Sequence, residues 1–151
     1  MGEGSGKRSG AAGPALWHGA FNVLSGLWPL VHLPSFEKVS GPKEDDWLVR
    51  TVGGLLVGIG WSQLRGAATP EGREHARRVG VATAATLAVI DVVYVARRRI
   101  RPVYLLDAAV EAAWIVAWWR AGAHGHAGDP PVRVPAVPPR ARRRVSSRRR
   151  P

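Results

Sequence analysis

The chain has 151 residues, a formal net charge of +11 and no cysteine. The missing thiols exclude a disulfide framework, a thiolate metal site and thiol redox chemistry. Apolar residues make up 46% and charged residues 22%, proportions that would suit one soluble domain, but the two kinds of residue are not mixed along the chain.

Four apolar stretches follow one another, at residues 15–33, 47–64, 79–96 and 102–119. At a rise of about 1.5 Å per residue, about 18 helical residues span about 27 Å, close to the hydrocarbon thickness of a bilayer. Asp91 is the only charged residue in the third stretch, and Arg50 is the only one in the second. We therefore predict an all-α fold, a four-span transmembrane bundle made of two antiparallel hairpins. The alternative is a soluble four-helix bundle with alanine-rich helices.

The two ends of the chain differ in composition from its centre. Residues 1–14 are rich in glycine, and residues 122–151 are rich in proline and arginine. We predict that both are disordered tails around a transmembrane domain at 15–121. The basic tail is expected to contact anionic lipid, or to stay passively solvated; nucleic acid is an unlikely partner because no aromatic residues are interleaved to stack on bases.

Local signals place helix ends and turns. Proline removes a backbone hydrogen bond, so a kink is predicted near Pro29 and a loop at 35–46. Thr69-Pro70-Glu71 combines an N-cap residue, a first-turn proline and an acidic first turn, which predicts a helix that begins near Pro70. The five residues 97–101 (RRRIR) predict a tight turn between the third and fourth helices.

The positive-inside rule sets the expected orientation. More Lys and Arg residues lie on the side that holds both termini, mainly because of the basic tail. We therefore expect an inner-membrane protein with both termini in the cytoplasm. The RRRIR turn on the outer side departs from this rule and calls for a local cause.

Ionisable residues inside the spans offer that cause. Arg50, Asp91 and Asp107 are all predicted to lie near the outer face, where they would form a charge network, with His32 as an additional member. Charges within a bilayer are costly unless they pair or face a wet cavity. The network would either lock the bundle together or serve a function, and both alternatives stay open.

Glu111 is the deepest of the predicted intramembrane acids. It follows Asp107 by four residues, so both lie on the same helix face. The sequence offers no obvious basic partner at that depth except His18 or a residue of a rotated neighbouring helix. A carboxyl group in such a position is typical of a proton or cation relay, the function we predict for Glu111 as an alternative to a structural role.

Small and aromatic residues predict how the helices pack. Gly54-x-x-x-Gly58 is a small-residue motif, which predicts packing against a neighbouring helix in the same chain or, alternatively, self-association. Five tryptophans lie near span ends, as in an interfacial belt: Trp17, Trp47, Trp61, Trp118 and Trp119. Trp28 and Trp114 lie elsewhere, where a ligand cage is conceivable.

Several segments resemble a group of small uncharacterised bacterial four-helix integral membrane proteins. The resemblance covers about residues 17–119, and its segments are 21–30 (FNVLSGLWPL), 35–43 (SFEKVSGPK), 47–52 (WLVRTV), 90–94 (IDVVY) and 104–111 (YLLDAAVE). The resemblance implies a four-helix membrane protein, and it implies no particular activity.

The sequence contains no hydrolase, phosphate-loop, dinucleotide-binding or zinc motif, so it predicts no enzyme activity, cofactor or metal site. The leading hypothesis is a non-enzymatic membrane protein that assembles with itself or with a membrane partner. The rival hypothesis is a transport or proton-relay element that uses Glu111 and Asp107.

Overall fold

The computed structural model describes the backbone of residues 12–126 and the side chains of residues 12–122. This part of the chain forms four α-helices and no strand, which confirms the all-α prediction: α1 (Ala12–Ser40), α2 (Asp46–Gly66), α3 (Pro70–Ala96) and α4 (Tyr104–His126). Helices α1 and α4 extend a few residues into the segments predicted as tails. The remainder of those predicted tails, and the lipid contact assigned to the basic one, lie outside the described residues.

Helix α1 is broken at His32 rather than at Pro29. His32 has non-helical backbone angles (φ −147°, ψ 75°), and its Nδ1 accepts a hydrogen bond from the Ser35 backbone N–H at 3.2 Å. His32 therefore caps a second helical segment, in which Pro34 occupies the first turn, where its missing N–H is not needed. The segment continues to Ser40, so most of the predicted loop at 35–46 is helical.

Two other helix ends follow from local chemistry. The Thr69 side chain accepts from the Gly72 N–H at 3.0 Å, and α3 begins at Pro70, as predicted. At the other end of α3, Arg98 adopts a positive φ of 56°. The Arg99 N–H donates to Tyr94 O at 2.9 Å and the Arg98 N–H to Val95 O at 2.8 Å, the paired bonds of a Schellman C-terminus.

Close backbone contact joins α1 to α2. A Cβ added to Gly19 would lie 2.9 Å from Gly60 O, and one added to Gly53 would lie 2.7 Å from Gly26 O. The two glycine pairs run in opposite order along the helices, so α1 and α2 are antiparallel. Each pair is separated by seven residues in its own helix, which keeps both glycines on one face.

The predicted packing residues Gly54 and Gly58 are not part of this contact. Both are exposed, with no atom within 4 Å of an added Cβ. Gly53 and Gly60 perform the intramolecular packing instead, because they lie on the α2 face that is turned toward α1. Self-association through Gly54 and Gly58 stays a prediction.

Helices α3 and α4 form the second hairpin, and α1 also contacts α3 and α4, whereas α2 and α4 do not contact each other within the described chain. In cross-section the four helices therefore form a rhombus, in which α1 and α3 contact each other across the short diagonal and α2 and α4 are the outer corners. Residues of all four helices line a cavity in this bundle.

The distribution of side chains is the reverse of that in most soluble domains. The buried apolar residues are mainly alanines, and the interior also contains several polar and charged side chains: His18, Asn22, Gln63, Asp91 and Glu111. Large apolar side chains are exposed on all four helices, with Leu24 at 69% and Trp119 at 80% exposure. Among the described residues only α3 is long and apolar enough to be a candidate membrane span.

Candidate functional site

Four inward residues of α4 form a continuous row. Asp107, Glu111, Trp114 and Trp118 are spaced by four, three and four residues, which places them on one helix face. Glu111 and Trp118 are almost completely buried, at 1% and 0% exposure. The row faces α1 and α3, so it crosses the interior of the bundle.

His18 on α1 is the centre of a buried polar cluster with Asn22, Gln63 and Trp118. Trp118 Nε1 donates to His18 Nδ1 at 2.9 Å, and Gln63 Nε2 lies 3.3 Å from the same nitrogen. Asn22 Nδ2 donates to Gln63 Oε1 at 2.8 Å. We call these four residues the His18 cluster; they connect α1, α2 and α4.

The cluster fixes the tautomer of His18. An indole N–H and an amide NH₂ can only donate, so His18 Nδ1 must accept. The ring of a neutral His18 therefore carries its proton on Nε2, which is directed toward Glu111. The imidazole also stacks on Trp114, with ring centroids 4.8 Å apart and planes 8° from parallel.

Gly80 of α3 provides the space that this cluster needs. A Cβ at position 80 would lie 2.9 Å from Trp118 Nε1 and 3.0 Å from His18 Nδ1, closer than side-chain packing tolerates. Any larger residue would displace the hydrogen-bonding atoms, so the polar cluster depends on a glycine from the third helix.

Glu111 lies next to His18, as the sequence suggested. His18 Nε2 and Glu111 Oε2 are 3.8 Å apart, too far for a direct hydrogen bond. Neither atom has another hydrogen-bond partner among the described residues. The pair therefore has unused hydrogen-bonding capacity in the interior of the bundle.

Asp91 and Asp107 lie side by side at the other end of the row. Their carboxyl groups are within interacting distance of each other, and Asp91 is only 6% exposed. Asp91 Oδ2 is buried without a hydrogen-bond partner in the described chain. The structure thus brings the two predicted acids together, since the α3–α4 turn lies just beyond them.

The structure does not bring Arg50 to these acids. Its side chain is exposed, and it takes part in none of the ion pairs that join two described residues, which are His18 with Glu111 and Glu74 with Arg77 and Arg78. Arg50 lies on a different face of α2 from Val49 and Gly53, which line the cavity. His32 is also exposed and caps a helix segment instead of joining the acids.

Asp91, Asp107 and Glu111 border one cavity of about 530 Å³ between the helices. Its wall is mostly apolar and includes Phe21, Trp28, Phe36 and Tyr104. Lys43 lies on the same wall, where its Nζ donates to Tyr104 Oη at 2.7 Å. The cavity thus combines three carboxyl groups with aromatic surface.

Sequence reasoning missed the His18 cluster as a unit. Its signal was present, because His18 and Asn22 are four residues apart on one face of an otherwise apolar helix. Gln63 and Trp118 could not be joined to them without the packing of the four helices.

Comparisons with protein-family models, with curated proteins and with solved structures found no match.

Proposed function

We propose that the chain is a four-span membrane protein and that its buried acids form a proton- or cation-binding transport element. The first part is supported by the outward apolar and inward polar side chains. Soluble monomers rarely expose large continuous apolar surface, whereas lipid-exposed helices require it, and their polar residues face the bundle interior.

Helix length and tryptophan placement support the same proposal. Helices α2, α3 and α4 have 21, 27 and 23 residues, and α1 runs from Ala12 to its break at His32. At about 1.5 Å per residue these lengths are enough to cross a bilayer. Trp17, Trp61 and Trp119 are exposed at one end of the bundle and Trp47 at the other. Tryptophan is enriched at membrane interfaces. Trp118, in contrast, is in the core and is not part of such a belt.

Some of the polar residues that lower the mean hydropathy of α1, α2 and α4 face the interior of the bundle. His18 and Asn22 in α1, Gln63 in α2 and Glu111 in α4 are buried. Each lowers the mean hydropathy of its helix without meeting lipid. In this proposal the spans follow the inner-membrane topology with both termini in the cytoplasm.

The observation that carries the transport proposal is Glu111, an almost completely buried carboxyl whose only ionisable partner in the described ion pairs is His18. A purely structural acid would be paired with a cation or fully hydrogen-bonded. Asp107 and Glu111 provide successive acceptor sites from the cavity inward. The route reaches His18, whose Nδ1 accepts from Trp118 and lies 3.3 Å from Gln63 Nε2, so proton transfer beyond His18 requires these contacts to open.

The test is proton flux into liposomes that contain the purified protein and a pH-sensitive dye. The wild type is expected to carry flux, Glu111→Gln to abolish it, and Glu71→Gln, at an exposed acid of α3, to retain it. Circular dichroism and gel filtration of each variant establish that it is folded. Flux through Glu111→Gln equal to that of the wild type, or no flux through the wild type, refutes the transport role.

A role in assembly is supported by a separate observation, the exposed Gly54 and Gly58 on the outer face of α2. Small residues on such a face allow close approach of a second helix in lipid. Gly58→Leu would then reduce crosslinking between copies in native membranes. Unchanged crosslinking would refute self-association through this face.

A further inference from the structure

The cavity has the size and position of a small-molecule site. Its volume of about 530 Å³ lies within the range of about 300–1,000 Å³ that is usual for ligand pockets. All four helices contribute to its wall, so a ligand there would touch every element of the bundle.

Aromatic rings form a large part of this wall. Trp28 and Phe36 meet edge to face, with ring centroids 5.6 Å apart, and the Trp28 Nε1–H donates to Ser35 Oγ at 2.8 Å. These contacts hold both rings in fixed positions on either side of the break at His32. The rings therefore offer a preformed apolar surface.

The wall already holds one ammonium group against an aromatic ring. Lys43 Nζ lies 4.8 Å from the centroid of the Tyr104 ring, within the range of a cation–π interaction. Lys43 also donates to the hydroxyl of the same ring at 2.7 Å, so Tyr104 provides both an acceptor and a π face for a cation.

Three acidic residues and one basic residue line the cavity. Asp91 and Glu111 each have a buried oxygen with no hydrogen-bond partner among the described residues, and Asp107 lies next to Asp91. Lys43 is the cationic residue on the wall, and it is engaged by Tyr104. Buried, unpartnered carboxyl oxygens favour a ligand that brings positive charge or N–H donors.

We propose that this cavity binds a monovalent organic cation, with its charged group near Asp91 and Asp107 and its apolar part against Trp28 and Phe36. This inference rests on the proposed function and names the substrate class of the same site. A bare metal ion fits less well, because the wall is mostly apolar and the described residues contain no group of three or more ligands placed to hold one. A lipid chain would leave the carboxyl groups without partners.

The test is equilibrium binding of two ions of the same shape and opposite charge to the protein in nanodiscs. Tetraphenylphosphonium is expected to bind saturably with one site per chain, and tetraphenylborate is expected to show no saturable binding. Equal binding of both ions, after subtraction of empty nanodiscs, overturns the proposal, because it indicates partition into an apolar space.

Variants locate the binding site. Asp91→Asn, which keeps the side-chain shape, is expected to weaken phosphonium binding at least tenfold, and Phe36→Ala to weaken it severalfold. Glu71→Gln is the control and leaves binding unchanged. Phe36→Ala changes no charge, so it tests the site even if Asp91→Asn fails to fold. Wild-type affinity in either folded variant overturns the proposal.

The flux and binding assays separate the two proposals. Saturable phosphonium binding without proton flux supports the cation site and refutes proton transport. Proton flux without phosphonium binding supports transport and refutes an organic cation as the ligand.

Discussion

The contact between α1 and α2 can be tested with two glycines of α2 that lie two residues apart. Gly60 packs against α1, whereas Gly58 faces away from the bundle. In Gly60→Ala, the new methyl group would meet Gly19 O and would lie 2.8 Å from both Cγ2 and the backbone nitrogen of Val23. In Gly58→Ala, no atom lies within 4 Å of the methyl group. The two variants have the same composition, so their difference isolates the helix contact.

The magnitude follows from two opposing effects. Replacing a helical glycine with alanine favours the helix by up to about 1 kcal/mol at either position. At position 60 the methyl group also forces the backbones apart, and overpacking of this kind costs about 1–3 kcal/mol. Gly60→Ala should therefore be less stable than Gly58→Ala by about 1–3 kcal/mol, or about 3–12 °C in Tm for a domain of this size.

The assay is thermal unfolding followed by circular dichroism in one detergent, with both variants and the wild type at equal concentration. Gly58→Ala should unfold at or above the wild-type temperature and Gly60→Ala below it. Equal Tm values for the two alanine variants would refute the close α1–α2 approach. A large loss in Gly58→Ala alone would show that the outward face of α2 forms the tighter contact.

Two further predictions concern the ends of α3. Arg98→Gly should raise the unfolding temperature, because the left-handed conformation at φ 56° costs a non-glycine residue about 1–2 kcal/mol. Arg97→Gly, at φ −79°, is the control and should lower the unfolding temperature. A lower unfolding temperature for Arg98→Gly than for Arg97→Gly would contradict the Schellman geometry. Hydrogen bonds from Arg77 and Arg78 lower the pKa of Glu74 from 4.5 to about 2. The ionised carboxylate therefore stabilises the fold above pH 4.5, and this stabilisation is lost as the pH falls toward 2. Melting curves at pH 6 and pH 2.5 should differ less in Glu74→Gln than in the wild type, and an identical acid loss in both would refute a stabilising role for this ion pair.

The helices were largely predictable from the sequence because their signals are local. The start of α3 follows from Thr69 and Pro70, and the tight turn before α4 follows from the five-residue RRRIR segment. The break in α1 was placed three residues too early, since Pro29 and Pro34 both interrupt backbone bonds and only His32 supplies a side-chain cap.

The candidate site was only partly predictable because it depends on which helix faces meet. The spacing of Asp107 and Glu111 predicted a shared face, and His18 was named as one of two possible basic partners for Glu111, the other being a residue of a rotated neighbour. Arg50 was assigned to the acids by its predicted depth alone, but its direction around the α2 axis turns it outward. Gly54 and Gly58 were chosen by their spacing, whereas the contact uses residues seven apart in each helix.

The buried small residues also determine which parts of this chain tolerate change. The outward side chains such as Leu24 and Leu106 touch few protein atoms, so exchange among Leu, Ile and Val there should leave the fold intact. Gly19, Gly60 and Gly80 admit no added methyl group without displacement of a neighbour. These glycines therefore determine how the four helices pack, although they have almost no side chain. In a library of random substitutions, folded variants should be depleted most strongly at these positions.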